Sequence, residues 1–590
     1  MRNFLFFCFF ALFPSLAAAQ SLGVVRGNCT PDAVADGSTL TTRATRALRL
    51  PSIKNKWDST RVYRQAVILI EFSDTDFSLD NPRETYDSMF NYPGFNKREG
   101  PGCVAEYFRE QSGGMFNVVF DVYGPVKVSK KSQPYANPTE NTRNYSRDVL
   151  IEATEFVVDS LKVDFTPYDW SGNGKVNQVI YVCAGITGNQ DNKASYGHIW
   201  PNTSTFTTVN ANGKRISNYT ASAEKWVNGE SCGIGTIIHE YTHSMGLPDI
   251  YPQSSNAGYS VVDEWDLMDG GNFTNYGWCP PNYTPTEKML LGWLKPVELT
   301  EPQTVRGVKP VSDGGKVYRI MHSSNEWLIL EAKQQKGWDK GLPGEGLVVY
   351  HVYYDDSAWS GNSVNNDPDH RRFELIHADN MDYDDWVTYI NTWAKPKNYA
   401  NSGHMNSYVL RSSAYPWTTD STSVVNDSLT NTSVPPAKMN YPNNEGSIML
   451  SKSITNIVKH ADGTYSFDFM ADVAKCATPT VVYEDGRIRF ECDTEGATFV
   501  SSVDTNTQQP TPNAHGGYDL ATQYVITVYA TAQGHADSDV VTATLTWSDG
   551  VVTGENVEVR GGGFRKGDVN EDGSVDVADI SNVITIMANE

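Results

Sequence analysis

The pattern of apolar and polar positions changes several times along the 590 residues. Arg2 is followed by an apolar run from Phe4 to Leu16, and Ala17-Ala18-Ala19 offer a small-residue cleavage site before Gln20. This is the form of an export signal, too short to span a membrane and stay there, so residues 1–19 are set apart from the fold. Residues 20–63 are basic, polar and sparsely apolar, with Thr42-Arg43-Ala44-Thr45-Arg46 as exposed basic sites, and read as a pro-segment. From 64 to 300 two periods mix. Val149, Ala153, Phe156, Val157 and Leu161 recur at helical spacing, while Val179-Ile180-Tyr181-Val182 before Cys183 predicts a central strand. Residues 301–474 turn to strands separated by Gly, Pro, Asn and Asp, such as Trp327–Glu331 and Gly346–Val352. Residues 475–560, from Thr480–Tyr483 to Val540–Trp547, alternate with regular turn signals and predict a small β-sandwich. Gly561-Gly562-Gly563 then opens a tail, 561–590.

Composition narrows the function classes. A net charge of −23 and a pI near 4.9 argue against nucleic acid or an anionic membrane as partner. Beyond the leader, no run of about eighteen apolar residues predicts a membrane span. Of eight cysteines, Cys8 leaves with the leader. Those left are Cys29, Cys103, Cys183, Cys232, Cys279, Cys476 and Cys492, an odd number, so one thiol is left over if export drives disulfide formation. Cys476 and Cys492 flank a predicted hairpin and form a reasonable local pair; Cys29 is the expected odd one.

The strongest chemical signal is His239-Glu240-Tyr241-Thr242-His243-Ser244-Met245-Gly246-Leu247-Pro248-Asp249. Residues four apart share a helix face, so His239 and His243 can aim at one metal while Glu240 reaches a water on its open side. Ile234, Ile237, Ile238 and Tyr241 supply an apolar face that would pack the helix and leave the histidines to a cleft. Gly246 can adopt positive φ, end the helix and bring Asp249 back as third ligand.

This H-E-x-x-H-x-x-G-x-x-D stretch resembles a metzincin-type zinc endopeptidase, and its flanks Gly235–Ile238 and Leu247–Tyr251 are similar to the immune inhibitor A (M6) family. Val67–Asp74 resembles that family's first catalytic strand and Tyr107–Ser112 its following helix, the likeness running from about 64 to 390. Trp265–Gly271 resembles a Met-turn, which implies that Met268 lies beneath the metal. The tyrosine that related enzymes place two positions after that methionine is Gly270 here, leaving Tyr276 as a weak candidate for oxyanion binding. Glu264 stands where thermolysin-like enzymes place their third ligand, but the glycine turn has a purpose only if Asp249 binds. The resemblance implies an α/β (α+β) metzincin-like catalytic domain ahead of the β-rich domains. It also implies Zn2+ at His239, His243 and Asp249, Glu240 as general base and acid, and protein or peptide substrates.

Three further segments carry expectations. Arg26–Asp32 resembles the cysteine switch of latent matrix metalloproteases, making Cys29 a candidate latency switch, with a disulfide or idle thiol as alternatives. Asp169–Asn177 resembles a calcium loop but lacks a closing carboxylate, so a plain turn is an equal reading. The tail presents Asp568, Asn570, Asp572, Ser574, Asp576 and Asp579 with Gly573 at the sixth position, a calcium loop of EF-hand type. With the apolar Ile580–Met587 stretch it resembles one dockerin type I repeat, where a full dockerin has two. Ca2+ is thus an expected ligand, with a cohesin-like or intramolecular partner for the tail. The 475–560 module resembles the chitobiase-like modules of exported enzymes. His351 and His370 receive no metal role, and the polar Trp359–Asp369 segment is a candidate cleft rim. A carbohydrate-active or carbohydrate-binding component, or an inactive protease-like adhesin, are the alternatives; neither explains Glu240 between two ligand-spaced histidines.

Overall fold

Seven of the ten residues of Val62–Glu71 are apolar, and every side chain from Gln65 to Ile70 is buried, so both faces of that stretch are covered, the condition of a central strand. Tyr63, Val67 and Leu69 point into one core, and Ala66, Ile68 and Ile70 into another on the opposite side. The computed structural model describes residues 57–132, 142–188, 199–253, 260–382, 385–386, 388, 410–418, 424–444, 446–470, 474–484, 486–507, 509–532, 535, 537–548 and 551–560. Expectations for the leader, for Cys29 and most of the pro-segment, and for the 561–590 tail lie outside these residues. So do the calcium positions Asp568, Asn570, Asp572, Ser574, Asp576 and Asp579.

In chain order the first elements are β1 (Val62–Glu71), α1 (Pro82–Asn91), α2 (Val104–Gln111), β2 (Asn117–Lys127), α3 (Thr142–Asp159), β3 (Val179–Ile186), β4 (Asn202–Ala211), β5 (Lys214–Lys225), α4 (Gly235–Ser244) and α5 (Pro285–Leu290). The five strands form one sheet ordered β2-β1-β3-β5-β4, parallel except for the edge strand β4. Helices α1, α2 and α4 contribute to one of the two cores and α3 to the other.

Helix α3 departs from its predicted stripe. Val149, Ala153 and Val157 are buried, but Phe156 and Leu161 are exposed. The buried row follows a strict four-residue step; Phe156 falls beside it, and Leu161 lies beyond the helix end at Asp159.

The chain next forms β6 (Val297–Glu298), β7 (Gln303–Val308), β8 (Tyr318–Met321), β9 (Glu326–Lys333), β10 (Gly346–Tyr353), α6 (Asp356–Ser360), β11 (Phe373–Leu375), β12 (Trp417–Thr418) and β13 (Val424–Asn426). A second sheet is ordered β11-β10-β9-β8-β6, and its buried Trp327, Ile329, Val348, Tyr350 and Val352 belong to the same core as α4. Both sheets therefore lie in one compact unit, the described residues of 57–298, 309–426 and 438–448.

The second unit comprises the described residues of 299–308, 427–437 and 449–560. Within it, β14 (Ile454–Lys459) and β15 (Tyr465–Phe469) pair in the order β14-β15-β7. There follow β16 (Thr480–Glu484), β17 (Arg487–Glu491), β18 (Thr498–Thr507), β19 (Thr511–Pro512), β20 (Tyr518–Asp519), β21 (Ala521–Thr531), β22 (Val541–Ser548), β23 (Val551–Glu555) and β24 (Val557–Arg560). A three-stranded sheet, β17-β16-β24, and a four-stranded sheet, β18-β21-β22-β23, meet in a small cluster of Val481, Ile526, Val528, Ala543 and Leu545. Cys476 and Cys492 flank the β16–β17 hairpin but are free thiols, like every cysteine among the described residues. In place of the expected bridge, Cys492 Sγ donates to the carbonyl of Ala477, at 3.1 Å.

Candidate metal centre

Helix α4 is buried along its whole length. Ile234, Ile237, Ile238 and Tyr241 enter the core, which fixes the roll of the helix and sets His239 and His243 on another face. Its entry requires glycine: a Cβ on Gly235 would lie 2.1 Å from the carbonyl oxygen of Asn272. Gly246, at φ +94°, ends the helix, and its N–H donates to the carbonyl of His243. The chain then turns back and presents Asp249.

His239, His243 and Asp249 place one donor atom each within 4.8 Å of one another, the one such trio of His, Cys, Asp or Glu groups among the described residues. Asp249 Oδ1 stands 3.1 Å from His239 Nε2 and 3.1 Å from His243 Nε2. Each imidazole is oriented by its other nitrogen: His239 Nδ1 is 2.9 Å from the carbonyl of Leu267, and His243 Nδ1 is 2.8 Å from the carbonyl of Leu247. Both Nε2 atoms are thereby turned inward, the arrangement metal-ligating histidines adopt.

The donor set fits zinc. Bonds of about 2.0–2.1 Å in a tetrahedron require ligand atoms about 3.3 Å apart, close to the separations found, and three protein donors leave a fourth position open. Burial opposes charge on both His243 and Asp249. Their mutual attraction and hydrogen bonding prevail, holding the carboxyl well below its usual range and lifting His243 to about 9. Glu240 is buried beside His239, adds to the negative potential at His243, and its backbone carbonyl accepts from Thr203 Oγ1 of the edge strand.

The Met268 segment packs directly against this group. Met268 is fully buried, its carbonyl accepts from the N–H of Ile250 at 2.9 Å, and the preceding Leu267 supplies the carbonyl that orients His239. Asp269 Oδ2 gathers the N–H groups of Val261, Val262 and Asp263, which fastens the loop just before it. Gly270 lies close against Asp263, so that a Cβ there would displace the Asp263 carboxylate, whose Oδ1 it would meet at 2.4 Å. Tyr276 is engaged by Arg98, whose guanidinium lies 4.4 Å from its ring centre. Glu264, the rival ligand, is buried in the 3-10 turn Asp263–Trp265 and is not part of the donor trio.

Other candidate positions resolve into structural roles. Asp169 closes its own turn by accepting from the N–H groups of Asn173 and Gly174, and Lys214 Nζ lies 2.9 Å from its Oδ2. An ammonium group therefore sits where a calcium loop would direct its first carboxylate. His351 is buried between Glu326 and Glu374, at 2.8 and 3.0 Å, and His370 stacks on Tyr441.

Residue-by-residue reading missed the groups that hold Asp249. Asn362 Nδ2 and Gln253 Nε2 donate to Asp249 Oδ2 at 2.8 and 2.9 Å, and Asn362 Oδ1 accepts from the Asp249 N–H at 2.6 Å. The signal available was the asparagine-rich loop inside Trp359–Asp369, which the sequence marked only as a candidate cleft rim.

The three donor residues lie within a stretch that matches a known family. Residues 54–289 match the family described as the immune inhibitor A peptidase M6, catalytic domain. The chain is 23% identical to immune inhibitor A of Bacillus thuringiensis subsp. alesti over 296 residues, covering 41% of this chain and 42% of that protein. It is 21% identical to the pre-pro-metalloprotease PrtV of two Vibrio cholerae serotype O1 strains over 243 residues, covering 37% of this chain and 26% of those proteins. The chain thus spans less than half the length of these relatives. Residues 54–289 are homologous to an M6 catalytic domain, within a mixed α/β protein rich in sheets.

Proposed function

We propose that the protein is an exported zinc-dependent endopeptidase of metzincin type. The observation that carries this reading is the donor trio of His239, His243 and Asp249, with both imidazoles locked Nε2-inward and Glu240 one residue from the first ligand. The M6 match over the same residues supports it. When bound, zinc supplies a Lewis acid and a water whose pKa falls to about 7.

The chain's own residues do the rest. His239 and His243 would each present Nε2 to the metal, with Nδ1 facing the Leu267 and Leu247 carbonyls, and Asp249 would offer one anionic oxygen. The Glu240 carboxylate takes a proton from the attacking water and returns it to the leaving amine, so that it ends the cycle ionised as it began. The burial of Glu240 excludes bulk water from that transfer.

The remaining parts of the proposal concern the chain ends. The leader directs export, and the segment after it acts as a pro-segment that ends ahead of β1 rather than at 63, since Tyr63 is part of the core. Cys29 caps the metal in the latent form, and the Asp568–Asp579 loop binds calcium. Protein or peptide chains are the substrates; a cohesin-like or intramolecular partner for the tail follows only from its resemblance to half a dockerin. No helix among the described residues is long and apolar enough to cross a membrane.

The test is metal content together with casein hydrolysis by the purified protein. One equivalent of zinc and chelator-sensitive cleavage are expected. Zinc without cleavage would favour an inactive adhesin, and loss of both with retained polysaccharide binding a carbohydrate-directed component.

A further inference from the structure

The proposed site is completed by a segment beyond the M6 match. That match ends at residue 289, whereas Asn362, which fastens Asp249 by two hydrogen bonds, comes from the Gly361–Asn366 loop of the same compact unit. We propose that this loop is a positioning element for the third metal ligand, with Asn362 and Gln253 reserving one Asp249 oxygen for the metal and one for the protein. The inference rests on the zinc reading above and specifies how that site is built.

Four observations converge. Asp249 Oδ1 alone faces the two Nε2 atoms, at 3.1 Å from each. Its Oδ2 receives two amide N–H groups, from Asn362 at 2.8 Å and Gln253 at 2.9 Å. Amide nitrogens of this kind donate and do not coordinate, so Oδ2 is turned from the metal and the carboxylate is limited to one bond. Asn362 also accepts from the N–H of Asp249, gripping the ligand by backbone and side chain together.

The loop itself is anchored. Asn365 Nδ2 donates to the carbonyls of Ile250 and Phe373, its Oδ1 accepts from the N–H groups of Arg372 and Phe373, and Asn366 Oδ1 accepts from the N–H of Gln253. Three asparagines thereby tie residues 249, 250 and 253 to this loop, and Asn365 ties the loop to β11. Asn362 pays for its place with φ +54°, a conformation that survives where surrounding bonds over-determine it.

The experiment uses the full-length protein. Asn362→Gly keeps the left-handed backbone free of strain and removes both side-chain bonds; Gln253→Ala removes one. Each is loaded with zinc alone in a chelator competition and, separately, with cobalt for its visible spectrum. Zinc affinity should fall about 10–100-fold in Asn362→Gly, the usual effect of losing a group that orients a ligand, and less in Gln253→Ala. The cobalt bands should shift toward five-coordination as Oδ2 swings in, with the melting temperature of the metal-free protein unchanged. If metal-free Asn362→Gly is itself destabilised, Gln253→Ala decides by the same two readouts. Wild-type affinity and spectrum in both variants would overturn the clamp alone. A wild-type protein that binds no zinc and cleaves nothing would overturn the endopeptidase reading, and the clamp with it.

Discussion

Glu240 and Asp249 are carboxylates nine positions apart whose surroundings assign them opposite tasks. Asp249 accepts from two amides and faces two imidazole Nε2 atoms at 3.1 Å, surroundings that hold its carboxyl well below the usual range and fix it in place. Glu240 is buried next to the first ligand and so keeps the reach of a proton carrier. Glu240→Gln should retain zinc and lose at least about a hundredfold in kcat, the lower range for a general acid and base. Near-normal turnover with zinc retained would remove Glu240 from the mechanism. For the ligands, Asp249→Ala should release zinc to a micromolar chelator, while Glu264→Ala should keep it; the reverse pattern would move the third-ligand role. At this scale the trio was legible because all its members fall within eleven residues at helical and glycine-turn spacing. Asn362 was not legible, since it meets Asp249 across 113 positions of chain and no local period links them.

Among the elements, those with one simple period were read most easily. The runs that became β1, β3, β9 and β10 are mainly apolar because most of their side chains are buried on both faces, with buried polar residues such as Gln65, Glu331 and His351 set among them, and helix α4 announced itself by its motif. The α3 stripe misled at Phe156 and Leu161, where an apolar residue near a buried row looks the same in sequence as one within it. Invisible in sequence was the ion group around His351 on β10. Burial works against its charge, but hydrogen bonds to Glu326 and Glu374 prevail and lift it to about 9. A histidine whose folded pKa is raised stabilises the fold fully below its unfolded value of about 6.5 and loses that contribution as pH rises through the folded value. The loss should be on the order of 3 kcal/mol between about pH 6.5 and 9.5. Other buried groups titrate nearby in pH, Lys288 being lowered to about 8 by burial. The measurement is therefore the difference in urea-unfolding free energy between the wild type and His351→Gln across that range. A constant difference would show that the imidazolium contributes nothing to stability.

In the whole molecule, every group assigned to the metal centre falls in one of the two compact units. The α4 helix, the 247–253 turn, the Met268 segment and the 361–366 loop all belong to residues 57–298 and 309–426; none comes from 299–308, 427–437 or 449–560. Metal binding should therefore stabilise one unit selectively. A ligand that binds only the folded state adds about 4 kcal/mol at a thousandfold excess over its Kd, which slows exchange of amides that open by global unfolding of that unit by about a thousandfold. Hydrogen exchange read by peptide mass spectrometry, with and without zinc, should show this in α4, in β1 and β3, and also in residues 361–366, which lie outside the M6 match. Amides of β21 and β22 in the other unit should exchange at the same rate in both states. Equal protection in β21 and β22 would mean that zinc is bound elsewhere or that the units unfold as one. Protection of α4 with the 361–366 loop unchanged would confine the centre to the matched domain and leave the asparagine loop as packing.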